Sequence, residues 1–324
     1  MMTPPPIPFI GIVGPTAVGK TALSLELAEG LNGEIISADS MQVYKYMDIG
    51  TAKLPPSERR GIPHHMIDVV APTDNYTVYD YASAARQIIR DVYHKGKVPI
   101  VVGGTGLYFR SLADEFDFTE TVKNEALREE LELLAEREGT QVLFEKLSEK
   151  DPEAAGRIHP NDKKRLIRAL EIVLQTGSPM RESYQKREKQ FTPVLIGLND
   201  ERDRLYERID ERVDHMIKVG LLDEVKKLIT MGCNENHTSM QAIGYKELLG
   251  YLNQRLHFDD AVNEIKKASR RYAKRQLSWF RADQRIRWYH LKEDGMMDVS
   301  FLLREAGLLW KDKDNIGAMA PEDR

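Results

Sequence analysis

One cysteine, Cys233, is all the sulfhydryl chemistry that 324 residues carry. A single thiol builds neither an internal disulfide framework nor a cysteine-rich zinc site, so a reducing cytosol is the expected compartment. Cys233 follows Met231 and Gly232 in what reads as a loop, and it is expected to be incidental there rather than a nucleophile. No apolar run reaches the length of a membrane span. The segment 1–8 lacks the basic region and apolar run of a secretion signal, and the polar stretch 311–324 is expected to fray. Internal repeats and low-complexity linkers are also missing. The overall charge is nearly balanced, at −4, so any attraction to a polyanion must come from local asymmetry. With 41% hydrophobic and 30% charged residues, the chain reads as soluble and globular, long enough for one large core or two domains.

The most informative segment present is Gly14-Pro15-Thr16-Ala17-Val18-Gly19-Lys20-Thr21. It follows the apolar run from Phe9 to Val13 and precedes a helix-like run from Ala22 to Ala28. This is a strand, a glycine loop of the GxxxxGK[ST] pattern and a helix. Such a loop turns backbone N–H groups inward around phosphate oxygens. Lys20 adds a mobile cation, and Thr21 a hydroxyl suited to Mg²⁺. The motif does not specify which phosphate compound binds.

Residues 9–110 alternate strand and helix patterns, which predicts an α/β fold with a parallel sheet. Residues 34–38 read as a strand ending at Asp39. Residues 78–94 read as an amphipathic helix with Ala82, Ala85, Ile88, Ile89 and Val92 inward, and 99–102 as a buried strand ending in Gly103-Gly104-Thr105-Gly106. Ligands of such sheets sit at the carboxyl ends of the strands, so the loop at 14–21, Asp39 and Thr105 are expected to converge on one crevice. From about 118 to 192 only helical patterns appear, at 124–147 and 162–175, the latter stopped by Gly177. Strand character returns at 194–198. The expected organisation is a core of 1–117 and 193–324 with a helical insertion at 118–192. Leu205, Ile209, Val213 and Met216 mark a helix, 259–282 another, and 286–290 a last strand.

Asp39 admits three roles: an acid that organises Mg²⁺, a general base, or a helix cap. Thr105 sits between glycines, either in a bare turn or where substrate comes close. Arg208 and Arg212 share a helix face; they can clamp a diphosphate or pair with neighbouring acids. His64 and His65 are adjacent on an extended segment, so they point apart and do not make a metal pair. His159, beside Pro160, can cap the next helix or touch substrate. The segment 266–287 carries Lys266, Lys267, Arg270, Arg271, Lys274, Arg275, Arg281, Arg285 and Arg287 against one acid, Asp283, with Tyr272, Trp279 and Phe280 between them. A solvated helix face usually mixes its signs. This stripe, with a second patch of Lys163, Lys164, Arg165 and Arg168, is the footprint of a nucleic-acid partner.

Taken in order, these motifs resemble those of the bacterial tRNA dimethylallyltransferases. The residues that carry the likeness are Gly14 to Thr21, Ile36 to Tyr44, Ile49 to Lys53, Gly61 to Asp68, Val102 to Tyr108, His159 to Asp162, Gln241 to Glu247 and Lys274 to Arg281. The resemblance runs from about Phe9 to His290. It implies a P-loop NTPase-like sheet, and transfer of a dimethylallyl group from dimethylallyl diphosphate to N6 of adenosine 37 beside a tRNA anticodon. It further implies that Gly14, Pro15, Thr16, Ala17, Val18, Gly19, Lys20 and Thr21 hold the diphosphate, with Thr21 on Mg²⁺. Asp39 becomes the base, Thr105 a donor to the bridging oxygen, and Arg212 a diphosphate ligand. Contacts to the tRNA anticodon stem-loop fall to Asp39, Ser40, Met41 and Gln42; to His159, Asp162, Lys163, Lys164 and Arg165; to Gln241, Gly244, Tyr245 and Lys246; and to Arg271, Lys274 and Arg275. The implied protein is a cytoplasmic monomer with no membrane partner.

Three other readings compete. A small-molecule kinase leaves the helical insertion and the basic helix unexplained. A prenyltransferase acting on free adenine nucleotides needs no extended RNA surface. A non-enzymatic RNA-binding module gives the crevice of Lys20, Asp39 and Thr105 no purpose.

Overall fold

The computed structural model describes residues 5–114, 124–179 and 190–311. In chain order the elements are β1 (Ile7–Val13), α1 (Lys20–Leu31), β2 (Gly33–Ser37), β3 (His64–His65), α2 (Val78–His94), β4 (Val98–Val102), α3 (Gly106–Ala113), α4 (Glu125–Glu138), α5 (Thr140–Lys150), α6 (Pro152–Ala155) and α7 (Lys163–Thr176). They continue with β5 (Phe191–Asn199), α8 (Arg202–Lys218), α9 (Leu221–Thr230), α10 (Tyr245–Leu252), α11 (Phe258–Arg281), β6 (Arg287–His290) and α12 (Val299–Lys311).

Among the described residues the six strands run parallel, in the order β3-β2-β4-β1-β5-β6. Successive side chains point to opposite faces of a strand, and both faces here are covered, so the central strands are apolar throughout. Ile10, Ile12, Ile100 and Ile196 face a core shared with Leu23 and Leu27 of α1, Leu205 and Ile209 of α8, and Leu302 of α12. Phe9, Val13, Val101 and Leu195 face the other core, with Tyr81, Ala85 and Ile89 of α2 and Phe109 and Leu112 of α3. The helix after β1 thus lies on one face, and the helix after the adjacent β4 on the other. That is a topological switch point, where an α/β sheet opens a crevice at its carboxyl edge. A third core joins the later part of α8 to α9, α10, the first half of α11 and the segment 41–52, through Val43, Met47, Val213, Leu221, Leu248 and Ile265.

The chain divides into two compact units, 1–113 with 189–324, and 114–188. The second is built from α4 to α7 around Leu131, Leu143, Leu147, Leu166 and Leu170. Its buried Glu171 accepts from Arg128 Nε and Nη2 (2.9 and 2.8 Å), Arg168 Nη1 (2.6 Å) and the Asn124 N–H (2.9 Å).

Some sequence expectations need adjustment. The helical stretch 124–147 is two helices, because Gly139 sits at φ +86° between α4 and α5. The insertion boundary placed after 192 falls inside β5, since Phe191 and Thr192 already pair with Ile7 and Pro8. The other boundary, at 117–118, and the tail beyond 311 lie outside the described residues. Ile88 is only partly buried on α2. Cys233 lies in a loop as expected, but its side chain is buried in the third core, and burial pushes its thiol pKa up. α12 closes the first core without having been expected.

Candidate active site

The loop after β1 is shaped by two glycines and one strained alanine. Gly14 has φ +142°, and a Cβ there would overlap the carbonyl oxygen of Leu198 on β5. Gly19, at φ +101°, leads into α1, while Ala17 takes φ +65°, a region alanine rarely adopts. The Lys20 ammonium folds back over the loop and donates to the carbonyls of Gly14 (3.0 Å) and Pro15 (2.6 Å). Burial first, then the charge of Arg212, lowers the Lys20 pKa to about 7, with Asp39 pulling the other way. The Arg212 guanidinium is likewise pushed down by burial and supported by Asp39. The two cations are therefore held close together with one carboxylate between their opposing effects. An anion with more than one charge would relieve that repulsion.

The loops after β2 and β4 are stitched to each other. Ala38 N–H donates to Val102 O (2.7 Å) and Thr105 N–H to Ala38 O (3.2 Å). The Thr105 hydroxyl accepts from Ser40 N–H at 3.1 Å. Asp39 Oδ1 accepts from Met41 N–H (2.9 Å), so the side chain caps its own turn while it lines the cavity. The Tyr272 hydroxyl on α11 is hydrogen-bonded to Thr105 and Gln276. Its pKa is pushed up to about 12, by burial and then by the nearby Asp39 charge.

A cavity of about 310 Å³ opens beside these groups. Asp39, Ser40, Met41, Thr16, Arg212, Tyr272 and Arg275 line it with Gln241, Gly244 and Lys246, and Ile209, Val213, Met216, Leu221 and Ile265 give it an apolar floor. It thus combines cations, one carboxylate and an oily wall in one space, as a small amphipathic anion requires.

Not every expected residue faces this space. Tyr245 is fully buried and donates to Glu224 Oε1 (2.6 Å), while Glu224 also accepts from the N–H groups of Asp48, Ile49 and Gly50. Its ring is a strut for the 48–50 turn, which removes Tyr245 from the surface available to RNA. Both ends of the Gln42 amide are bonded internally, accepting from Ser37 Oγ (2.8 Å) and donating to Thr51 O (3.1 Å). Arg208 turns away to Asp200 (3.5 Å), so of these two arginines Arg212 is the one that lines the cavity. His65 pairs with Glu34 (2.8 Å) and His64 lies against Ile62 O (2.8 Å).

The basic stripe is partly neutralised, by acids distant in sequence and by local ones. Asp214 pairs with Lys266 (2.7 Å) and Asp210 with Arg270 (2.5 Å), both from α8, while Lys267 meets Glu264 and Arg285 meets Asp283. Lys274, Arg275 and Arg281 are exposed and have no acidic partner among the described residues, and Arg271 is exposed beside them. In the second unit, Lys163 meets Glu136, Arg165 meets Asp162 and Arg168 meets Glu171. Asp162 caps α7 by accepting from Arg165 N–H, and exposed His159 accepts from Asn161 N–H. Lys164 is exposed.

Sequence reasoning missed Gln276 and Glu224 as site-building residues. Tyr272, Gln276 and Trp279 recur at helical spacing on one face of α11, a signal that the surrounding charges obscured.

Comparison with known proteins follows the same lines. Residues 42–283 match the family model described as IPP transferase. A tRNA dimethylallyltransferase of Caldanaerobacter subterraneus is 50% identical over 293 residues, covering 89% of this chain and 93% of that protein. The tRNA dimethylallyltransferase of Bacillus subtilis is 50% identical over 286 residues, covering 88% and 91%. Among solved structures, the full-length tRNA isopentenylpyrophosphate transferase of Bacillus halodurans superposes with a TM-score of 0.72 at 42% identity, covering 97% of this chain and all of that one. A eukaryotic dimethylallyltransferase acting on tRNA gives a TM-score of 0.78 at 32% identity, covering 98% and 81%.

Proposed function

The chain belongs to the IPP transferase family, and from that premise we propose that it transfers a dimethylallyl group from dimethylallyl diphosphate to N6 of adenosine 37 in a tRNA anticodon loop. The observation that carries the reading is one cavity at the carboxyl edge of the sheet, lined by Asp39, Arg212 and Thr16 of the phosphate-type loop and by Ser40, whose N–H is bonded to Thr105, with an oily wall and exposed cations on α11.

An exocyclic adenine amine is a weak nucleophile, because its lone pair is delocalised into the ring. It must be held in line with the allylic carbon and lose a proton as the new bond forms. The N6 lone pair forms the N–C bond while the C–O bond to diphosphate breaks. The proton passes to Asp39, and the electron pair leaves with the diphosphate. Lys20, Arg212 and the loop N–H groups oppose the growing negative charge, and Thr105 donates at the bridging oxygen. The apolar floor of Val213, Met216 and Ile265 suits the branched hydrocarbon. The target base has to leave its stack to reach the pocket.

No group of three or more His, Cys, Asp or Glu among the described residues would hold a metal unaided. Mg²⁺ commonly takes one or two protein oxygens and fills its shell from substrate phosphates and water, so the exposed Thr21 hydroxyl at the start of α1 fits it. When bound there it would neutralise diphosphate charge.

RNA contacts are assigned to Arg271, Lys274 and Arg275, to Ser40, Met41, Gln241 and Lys246 around the cavity, and to His159 and Lys164 of the second unit. The protein is proposed to work as a monomer in the cytoplasm; no described helix is long and apolar enough to cross a membrane. The deciding experiment is incubation with labelled dimethylallyl diphosphate, Mg²⁺ and unmodified tRNA, followed by nucleoside mass analysis. A prenylated adenosine at position 37 is expected. Label transfer from ATP instead, with no prenylated nucleoside, would overturn the reading.

A further inference from the structure

Gln276 lies at the crossing point of the two loops that the reaction needs. It sits on the inward face of α11 and is 5% exposed. Its Oε1 accepts from Thr16 N–H (2.9 Å), in the loop after β1. Its Nε2 donates to Gly104 O (3.0 Å), in the loop after β4. Its amide is also hydrogen-bonded to the Tyr272 hydroxyl, which in turn reaches Thr105. One planar amide thus spans from the diphosphate-type loop to the residue beside Thr105. The fit is close on the loop side: a Cβ on Gly104 would overlap the Gln276 amide, and a Cβ on Gly106 would overlap the Trp279 ring. α11 is pressed against the 104–106 loop along Tyr272, Gln276 and Trp279, while exposed Lys274 lies off that face and exposed Arg275 reaches the cavity over the Tyr272 ring.

A primary amide suits this post because it offers a donor and an acceptor on one rigid plane. Both bonds are long-range in sequence, so neither is needed to form α11 or either loop locally. Their effect is on the spacing between the cradle and Thr105. The leaving diphosphate must touch both at once, and a misplacement of roughly 1 Å is enough to cost about 10²-fold in rate.

We propose that Gln276 is a positioning residue that sets the distance between the diphosphate-binding loop and the Thr105 loop, through Thr16 N–H on one side and Gly104 O on the other. This rests on the prenyl-transfer reading above. Gln276 touches no reacting atom; it acts through Thr16, Gly104 and Tyr272.

The test uses the full chain with Gln276→Met, which keeps length and volume but makes neither bond, and with Gln276→Glu, which keeps the acceptor for Thr16 N–H and loses the donor to Gly104 O. Each is assayed well below its own thermal midpoint for affinity to inorganic diphosphate with Mg²⁺, affinity to tRNA and single-turnover transfer. For Gln276→Met we expect single-turnover transfer to fall by about 10- to 100-fold, with diphosphate bound several-fold more weakly. Its tRNA affinity should stay within about twofold, because Lys274 and Arg275 are untouched. Gln276→Glu should lose the rate as well and bind diphosphate no better than Gln276→Met, because its carboxylate sets a like charge beside the cradle and an acceptor against Gly104 O. Wild-type diphosphate affinity and transfer in Gln276→Met would overturn the proposal, as would equal losses in all three measurements, which a merely structural role predicts. If the wild-type chain binds diphosphate but prenylates no tRNA, the functional reading falls and Gln276 is judged on the diphosphate affinities alone.

Discussion

The hydroxyl of Thr105 accepts a hydrogen bond from the backbone N–H of Ser40 at 3.1 Å, so the residue after Asp39 and the loop after β4 are fixed to each other. That bond uses an oxygen lone pair, while the Thr105 proton lies toward Ser40 Oγ at 3.4 Å, a long contact that a better acceptor such as a leaving-group oxygen can replace. The bond from Ser40 N–H also holds Asp39 beside Thr105 without help from substrate. A base and a leaving-group donor placed on two stitched loops move together, which is what an in-line displacement asks of them.

Asp39→Ala should therefore lower kcat by at least about 10²-fold with little change in prenyl-diphosphate affinity, because it removes the proton acceptor and leaves the cradle intact. Thr105→Ala should slow single-turnover transfer by about 10-fold or more while tRNA binding is retained. Rapid-quench kinetics with tRNA in excess would check both. Near-normal turnover in the Asp39 variant would remove it from the base role.

The Lys20 pKa of about 7 makes a pH prediction with a definite sign. Its ordinary value is 10.5, so between about 7 and 10.5 the free folded protein has given up a proton that the unfolded chain keeps. Folding stability from this group rises with pH across that window. Diphosphate binding runs the other way. A dianionic or more highly charged ligand beside Lys20 favours the ammonium, so binding above pH 7 takes up a proton and affinity falls as pH rises, by up to about tenfold per unit. Calorimetry at pH 8 in buffers of different ionisation enthalpy should register the uptake, and Lys20→Met should abolish it. No buffer dependence in the wild type would mean that the ammonium is already retained.

Lys274→Glu with Arg275→Glu should weaken tRNA binding and make the log–log salt dependence shallower by about one unit per lost phosphate contact. Lys266→Glu should do much less, because Lys266 is already committed to Asp214 (2.7 Å). Filter-binding titrations at several salt concentrations separate the two. Equal effects would show that the charge count, not the free charges, sets affinity.

The contrast between Lys274 and Lys266 also marks how far the sequence could be read. The sheet and the crevice were legible because their signals are local: strand periodicity, the glycine loop, and acids or threonines directly after strands. Topology then brings those loops to one edge whatever the intervening chain does. The charge stripe on α11 was legible as composition, but its partners Asp210 and Asp214 sit on α8, over fifty residues away in the chain. Tyr245 and Gln42 looked like ligand contacts because they lie in motif-rich segments. Their actual bonds, to Glu224 and to Ser37 and Thr51, depend on tertiary packing that no local pattern encodes. Gln276 was hidden for the same reason: a polar residue in a charged helix reads as solvated until the loops it bridges are in place.

Glu171 gives a prediction about the second unit alone. Its carboxylate is fully buried yet accepts four hydrogen bonds, two from Arg128, one from Arg168 and one from Asn124 N–H. Burial acts to raise its pKa, but the bonds from Arg128, Arg168 and Asn124 outweigh it and hold the carboxyl below its ordinary value of 4.5. A group depressed in this way stabilises the fold fully above the unfolded value and loses that contribution as pH falls through the folded one. Acid should therefore loosen α4 and α7 together, since Arg128 belongs to the first and Glu171 to the second. Glu171→Gln keeps the volume but turns an acceptor into a partial donor facing two guanidinium groups, at a cost of about 3 kcal/mol. Calorimetric unfolding of the full chain at pH 7 and again below pH 4.5 should show the variant destabilised at neutral pH, with a flatter response to acid than the wild type. If the variant and the wild type melt alike at pH 7, the Arg128 and Arg168 bonds are replaceable by water, and the buried carboxylate is not what joins these two helices.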